Sequence, residues 1–410
     1  MTGSVTVTVL VRLMKLATGV LAGIVTARAL GPTGRGEYFV VVTLAAVIVQ
    51  FANLGLHASN TYLVARDRSL LPALTANSSW ISILAGGGLA IVAALLATAV
   101  GFPPGLPAAL IWFVVALAPA GLFFLLALNL LVGIERVRLF NVLDAASNVL
   151  TLALIAIAAL ALRSSAGLLA ASSCAALLSA IGIRFFLGRM SGALPPFSPA
   201  LLRRGLRYAL TAYAVSVLGL LTLRANVFIL QAVAGSAQVG TYSIALQMMD
   251  VLGIVPASIA LLLFPRLVRQ TTNALVPAVR TAAVVGLTLV AGSIATWALA
   301  PVIVPVLFGS EFARAADALT LLLPGAILLG MTTVLSQFLA AIGLPPALIA
   351  VWVGGLIAAV VLGLLLIPSF GDTGAAWALS ATYAIVFALV AFLAYRHRED
   401  QPRRDAATPA

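Results

Sequence analysis

Long apolar runs, broken by short polar or glycine-proline turns, recur along the whole chain. A helix needs roughly 20 apolar residues to cross the hydrocarbon of a bilayer. On that ruler the runs predict spans near 5–30, 38–65, 77–101, 107–133, 140–162, 166–187, 208–232, 240–264, 278–300, 318–342, 346–368 and 374–394. The breaks carry turn chemistry: Gly31-Pro32-Thr33-Gly34, Gly101-Phe102-Pro103-Pro104-Gly105, Pro195-Pro196-Phe197-Ser198-Pro199 and Gly343-Leu344-Pro345-Pro346. The pattern predicts an all-α integral membrane protein of about twelve transmembrane helices. The first run lacks a cleavable small-x-small end, so it reads as a true span rather than a signal peptide.

Polar residues interrupt the apolar runs in ordered stripes. In the first helix Arg12, Lys15, Gly19, Ala22 and Thr26 recur at three- and four-residue steps, which places them on one face. The second carries Gln50, Asn53, His57 and Asn60 in the same way. At about 1.5 Å per residue, Lys15 lies roughly 24 Å from Gly31 and Asn53 roughly 25 Å from Gly36, so the two stripes are level. Cations beside amide and imidazole donors suit a pyrophosphate, whose charge needs hydrogen-bonded partners in a low dielectric. Snorkelling of Arg12 and Lys15 to the inner surface is the plainer account, and Asn53 and Asn60 also suit hydrogen bonds between helices. Arg224 lies about 25 Å beyond Arg207, too deep to snorkel easily. Asp250 on the next helix is at a similar level, and Gln231 shares the Arg224 face. Two readings follow: a buried Arg224–Asp250 pair that holds the hairpin, or an outer-half anion site with Asp250 as counter-charge or proton carrier. Asp144, Asn148 and Thr151 form a further stripe, with Arg136 and Arg138 the expected partners of Asp144. Pro256 and Pro324 are candidate kinks.

Composition narrows the class. Hydrophobic residues make up 63% of the 410 and charged residues 8%, with mean hydropathy +1.18. A soluble surface needs about 25% charged residues, so a water-soluble globule is excluded, as are disordered and collagenous chains. The net charge of +12 would suggest nucleic acid in a soluble protein. Here the arginines sit in short loops and report topology instead. With the amino terminus inside, sixteen arginines fall on inward segments and four (Arg28, Arg35, Arg163 and Arg314) on outward ones. This bias predicts that both termini are cytoplasmic. The lone Cys174 reads as packing, and no histidine, cysteine or carboxylate spacing forms a metal site or nucleophile–base pair. An enzyme, a cofactor and a nucleic-acid partner are therefore not expected.

The halves repeat. At an offset of 204, Gly31, Gly36 and Tyr38 meet Gly235, Gly240 and Tyr242; Gly167 meets Gly374 at 207, and Gly133 meets Gly343 at 210. The expected domains are a six-helix lobe over 1–190, a basic cytoplasmic linker over 191–207, a second six-helix lobe over 208–395 and a tail over 396–410. An even number of helices per lobe relates the two by a pseudo-twofold along the membrane normal, an arrangement in which transporters commonly place the substrate path at the repeat interface.

The stretch Ala27-Arg28-Ala29-Leu30-Gly31-Pro32-Thr33-Gly34-Arg35-Gly36-Glu37-Tyr38, followed by Asn53-Leu54-Gly55-Leu56, closely resembles the first hairpin of the polysaccharide-type (O-antigen type) oligosaccharide flippases. These belong to the multidrug/oligosaccharidyl-lipid/polysaccharide exporter superfamily. Gly240-Thr241-Tyr242-Ser243-Ile244-Ala245 and Gly371-Asp372-Thr373-Gly374-Ala375-Ala376 are also similar to the family's later motifs. The resemblance implies two lobes around a central cationic cavity, alternating access, and a polyprenyl-pyrophosphate-linked oligosaccharide as cargo. It also implies the bacterial cytoplasmic membrane as location, with a polysaccharide polymerase and glycosyltransferases as possible partners. Arg12, Lys15, Asn53, His57, Arg224 and Gln231 are the candidate substrate-binding residues, and Asp250 and Asn226 the candidates for coupling or counter-charge. Asn226 stands where relatives often have aspartate, which questions cation coupling through that position. The rival expectations are a multidrug/cation antiporter of the same superfamily, for which cavity carboxylates would be needed, and a non-transporting scaffold of an envelope synthesis complex. A lipid II flippase would be expected to have fourteen helices and a longer chain.

Overall fold

The computed structural model describes the backbone of residues 2–192, 195–270 and 273–400, with their side chains apart from 2–13, 191, 206–211 and 261. There is no strand among the described residues. An apolar solvent imposes this outcome, because backbone groups out of reach of water are satisfied inside helices. The chain divides into two compact units, one ending at Tyr213 and the other beginning at Ala214.

The first unit contains α1 (Thr2–Asn53), α2 (Leu56–Arg66), α3 (Leu71–Ile81), α4 (Gly88–Val100), α5 (Ala108–Ile111), α6 (Val114–Gly133), α7 (Val137–Ala161) and α8 (Ser165–Ser191). A π-turn, Ser82–Gly87, joins α3 to α4. Helix α9 (Pro199–Leu252) begins in the first unit, so the second half of the expected linker is helical. The second unit continues through α10 (Ile254–Val268), α11 (Leu275–Phe308), α12 (Ala315–Ala341) and α13 (Ala347–Arg396).

Nine helical stretches among the described residues are long and apolar enough to cross a membrane. Three of them turn back at a single glycine and count twice, which yields the twelve expected crossings. The turning residues are Gly31 (φ 63°, ψ −176°), Gly235 (φ 79°, ψ 176°) and Gly371 (φ 59°, ψ −129°). Contacts across each turn establish the reversal. Arg35 Nη1 donates to Thr26 Oγ1, although nine residues along a straight helix would be about 13.5 Å apart and on opposite faces. Arg224 reaches Asp250 in the same way, and Gly374 packs on the Leu366 carbonyl. Gly31 and Gly235 are the pair matched by the 204-residue repeat, and their dihedrals agree within about 16°.

Each unit fastens its last hairpin to its first. In the first unit Ser165 Oγ donates to Glu37 Oε2 and to the Gly34 carbonyl, and Tyr38 Oη lies 2.9 Å from Ser172 Oγ. In the second, the Asp372 N–H donates to Gln238 Oε1 at 2.9 Å. Gln238 occupies the Gly34 position of the repeat and Asp372 the Ser165 position. The linker is held as firmly: the Asn77 amide donates to the Ser198 carbonyl at 2.9 Å and accepts from its N–H at 2.8 Å. The core of the first unit gathers Leu63, Leu131 and Ile183 from α2, α6 and α8; that of the second gathers Leu289, Phe338 and Val390 from α11, α12 and α13.

Several expectations are corrected. The second span is not continuous over 38–65, because Leu54 (φ 49°) and Gly55 (φ 74°) leave helical dihedrals between α1 and α2. Arg35 does not stand in a loop. Only Gly31 departs from the helix, so no loop exists there, and Arg35 is buried beside Tyr38 and Phe39. Cys174 is exposed on the surface of its unit rather than packed inside it. Pro256 lies at the break between α9 and α10, whereas α12 runs on through Pro324.

Gly31 and Gly235 occupy a region of dihedral space open almost only to glycine. Gly31→Leu and Gly235→Leu should each cost about 1–3 kcal/mol and lower the thermal midpoint of the purified protein by several degrees. Gly354→Ala, in a helical position with open space around the added methyl, should leave the midpoint unchanged or raise it slightly. An equal response of all three variants would contradict the turn assignment.

Candidate functional site

Among the described residues each unit holds an ion pair between its apolar helices, and the second unit has a further pair, Arg314–Asp372 at 4.0 Å, beside the Gly371 turn. In the first, Lys15 Nζ on α1 lies 3.1 and 3.2 Å from the two carboxylate oxygens of Asp144 on α7. The expected partners of Asp144, Arg136 and Arg138, do not engage it. They precede it by eight and six residues, and six residues of helix point a side chain to a different face. Lys15 is 54% exposed and Asp144 14%, so the lysine meets the surroundings while the carboxylate is enclosed. The Arg12 side chain lies outside the described residues.

In the second unit Arg224 Nη2 stands 3.8 Å from Asp250 Oδ2, with the two on opposite arms of the α9 hairpin. Arg224 precedes Gly235 by eleven residues, or about 16 Å, which puts it near the middle of a hydrocarbon layer about 30 Å thick. Arg224 is 19% exposed and Asp250 55%. An ionised carboxylate facing lipid at that depth would be severely penalised, so the exposed side of Asp250 requires water. Burial of an isolated arginine at mid-membrane costs at least about 2.5–3.5 kcal/mol, and the carboxylate across the hairpin offsets this. The two pairs are not repeat mates: the Lys15 position corresponds to Gly219 and the Arg224 position to Val20 at the 204 offset.

Two buried tyrosines adjoin the second pair. Tyr242 and Tyr383 are both within electrostatic reach of Arg224 and Asp250. The Tyr242 hydroxyl has no hydrogen-bond partner among the described residues. Its repeat mate Tyr38 has Ser172, but at the 207 offset Ser172 corresponds to Leu379, which offers no hydroxyl. Leaving such a group unmet costs about 1–3 kcal/mol. Both tyrosines were missed as site residues; the repeated Gly-x-Tyr could have pointed to Tyr242, while nothing local marks Tyr383.

The other candidates are placed as follows. Asn53 is buried at the end of α1; its Oδ1 accepts the His57 N–H at 3.2 Å and its amide donates to His57 Nδ1 at 2.7 Å. That contact satisfies one free N–H of the first turn of α2 and assigns the proton of the neutral imidazole to Nε2. Asn60 bonds Ser78 on α3 at 3.0 Å, as glue between helices. Asn226 is buried, donates to the Ala375 carbonyl at 3.3 Å and packs on Gly363. Gln231 is buried and donates to Ser236 Oγ at 3.0 Å across the Gly235 turn. The hairpin thus brings Arg224 and Asp250 together, whereas Asn226 and Gln231 face partners on α13 and at the turn. No group of three metal-ligating side chains exists among the described residues.

Compared with known proteins, residues 2–271 match the sequence profile of a family described as polysaccharide biosynthesis protein. No curated protein matches the chain by sequence. Among solved structures, the chain is similar to "Lipid II flippase MurJ, inward closed conformation" with a TM-score of 0.73 at 11% identity, over 94% of this chain and 86% of that one. It is also similar to an outward-facing multidrug resistance MATE family transporter of the MOP superfamily, with TM-score 0.66 and 16% identity over 96% and 95% of the two chains. A MOP superfamily transporter from Pyrococcus furiosus, described as having a binding pocket of reversed polarity, gives 0.64 and 17% over 96% and 93%. Likeness at such identities is a likeness of fold: twelve membrane helices in two six-helix lobes.

If Asp250 faces water, its position should admit a hydrophilic thiol reagent. In a Cys174→Ser background, Asp250→Cys should react with a charged methanethiosulfonate at least about tenfold faster than Asn226→Cys, since reaction requires a solvated thiolate. Equal rates would place Asp250 against lipid or protein.

Proposed function

The chain belongs to the polysaccharide biosynthesis protein family, and from that premise we propose that it is a flippase moving a polyprenyl-pyrophosphate-linked oligosaccharide across the bacterial cytoplasmic membrane. Its product feeds cell-envelope polysaccharide assembly, alongside glycosyltransferases and a polymerase. Both termini lie in the cytoplasm, in keeping with the sixteen-to-four arginine bias. The protein works by alternating access, and no bond of the cargo is broken.

The observation that carries this reading is the Arg224–Asp250 pair, 3.8 Å apart and about 16 Å from the Gly235 turn, with a carboxylate that is 55% exposed. A guanidinium binds phosphate oxygens through two parallel N–H donors, more strongly than at a 3.8 Å contact with one carboxylate oxygen. A pyrophosphate therefore competes with Asp250 for Arg224. Displaced, Asp250 loses its counter-charge and takes up a proton from water, which links translocation to the proton gradient. The unmet Tyr242 hydroxyl is a donor within reach of the same charge. Lys15 plays the matching part in the first unit, where Asp144 holds it until an anion arrives. On the sequence pattern Arg12 and His57 are further cargo donors of that unit, and Asn53 orients the imidazole. Asn226 and Gln231 keep the α9 hairpin in register instead of touching cargo. A unit charge crossing 100 mV is worth about 2.3 kcal/mol, so the charge of the headgroup sets the energetics of each crossing.

A multidrug/cation antiporter would use Asp144 and Asp250 as its binding carboxylates. Both are already engaged by cations within their own units, which favours anionic cargo.

Arg224→Ala should slow translocation of a fluorescent polyprenyl-pyrophosphate sugar in proteoliposomes by at least about 100-fold, the loss of two charge-assisted hydrogen bonds. Arg224→Lys should retain part of the rate, and both variants should elute as folded protein. Wild-type flipping by Arg224→Ala would remove Arg224 from the mechanism.

A further inference from the structure

The first unit carries a lateral groove that the cargo site does not use. It lies where α3 and the π-turn, α6 and α8 diverge, and is an open slot of about 440 Å³. Its shape follows from the sequence: the π-turn inserts an extra residue into one helical turn, and Gly86 within that turn rests on Pro119 of α6. Phe123 and Ala180 form part of the lining, and Ile83 and Ile181, 61% and 64% exposed, stand at the rim. The two lining serines, Ser79 and Ser82, donate to carbonyls of their own helix. The groove is therefore almost wholly apolar.

Arg184 closes one end. It is nineteen residues beyond Ser165, about 28 Å along α8, on the side that the arginine bias assigns to the cytoplasm. Its guanidinium extends over Gly188, one turn nearer the helix end, where the missing side chain leaves room. Arg184 is partly buried and forms no ion pair or hydrogen bond with another described residue. An uncompensated guanidinium at headgroup level, above an apolar slot, matches a phosphate above a hydrocarbon chain. The slot is open along one side, so a single flexible acyl chain can enter it laterally while its phosphate stays at Arg184.

We propose that this groove binds one anionic phospholipid of the inner leaflet, with an acyl chain along α6 and α8 and its phosphate on Arg184. The site is separate from the cargo reading and stands whether or not that reading holds.

The test is lipid retention by the full-length protein. Purified protein is equilibrated with vesicles of equal parts phosphatidylglycerol and phosphatidylcholine, and the lipids carried through are counted by native mass spectrometry. One phosphatidylglycerol per chain is expected, in several-fold preference to phosphatidylcholine. Arg184→Gln should lower its retention about fivefold, the worth of one cation near a membrane surface, and Arg184→Lys should largely preserve it. Ile181→Trp, at an exposed rim position, should block the slot and abolish retention of both lipids. Leu177→Trp repeats that test should Ile181→Trp not fold. Equal retention of the two lipids, unchanged retention in Arg184→Gln and the tryptophan variants, or a preference for added polyprenyl phosphate would each overturn the proposal.

Discussion

A charge placed among hydrocarbon must find an opposite charge or water, and this requirement organises the polar interior of both units. Arg224 is tolerable near mid-membrane because the α9 hairpin returns Asp250 to within 3.8 Å of it. Lys15 is held by Asp144 across the α1–α7 contact. Neither pair is sealed off. One member of each remains more than half exposed, so the energy of each pair is not fixed by burial alone. That leaves both cations open to competition by a stronger anion, a property the proposed flippase function requires.

The hairpins that bring these charges together depend on glycine. Gly31 and Gly235 adopt nearly the same unusual dihedrals 204 residues apart, and each reverses a helix without a loop. Cross-links tie the first and last hairpins in each unit at equivalent positions, though with different chemistry: a hydroxyl to a carboxylate in one, a backbone N–H to a side-chain amide in the other. The duplication thus preserves geometry while the side chains diverge. The difference has a consequence at Tyr242, whose hydroxyl lacks the serine that Tyr38 has and stands unmet beside Arg224 and Asp250.

Much of the fold was legible in the chain, because a bilayer sets the length of every crossing and a single glycine marks each of the three loopless reversals. The twelve crossings and the Arg224–Asp250 approach followed from rise per residue and turn positions alone. What escaped was of two kinds. Lys15 and Asp144 are 129 residues apart, and the nearer arginines 136 and 138 were the obvious partners by sequence distance; a separation of about 12 Å excludes Arg136 and helix phase excludes Arg138. The outward Cys174 escaped because lipid is as apolar as a protein core, so hydrophobicity does not distinguish the two faces of a membrane helix. Local geometry was equally hidden at Leu54, where a bulky residue adopts a positive φ, and at the π-turn of Ser82–Gly87.

The central claim is that Asp250 and the cargo's pyrophosphate contend for one guanidinium. The most direct measurement is the dissociation constant of a polyprenyl-pyrophosphate sugar for the full-length protein and for Asp250→Asn, at one pH and one salt concentration. Removing the competitor while keeping the shape should tighten binding by about tenfold, or about 1.4 kcal/mol. Unchanged or weaker binding by Asp250→Asn would contradict the account.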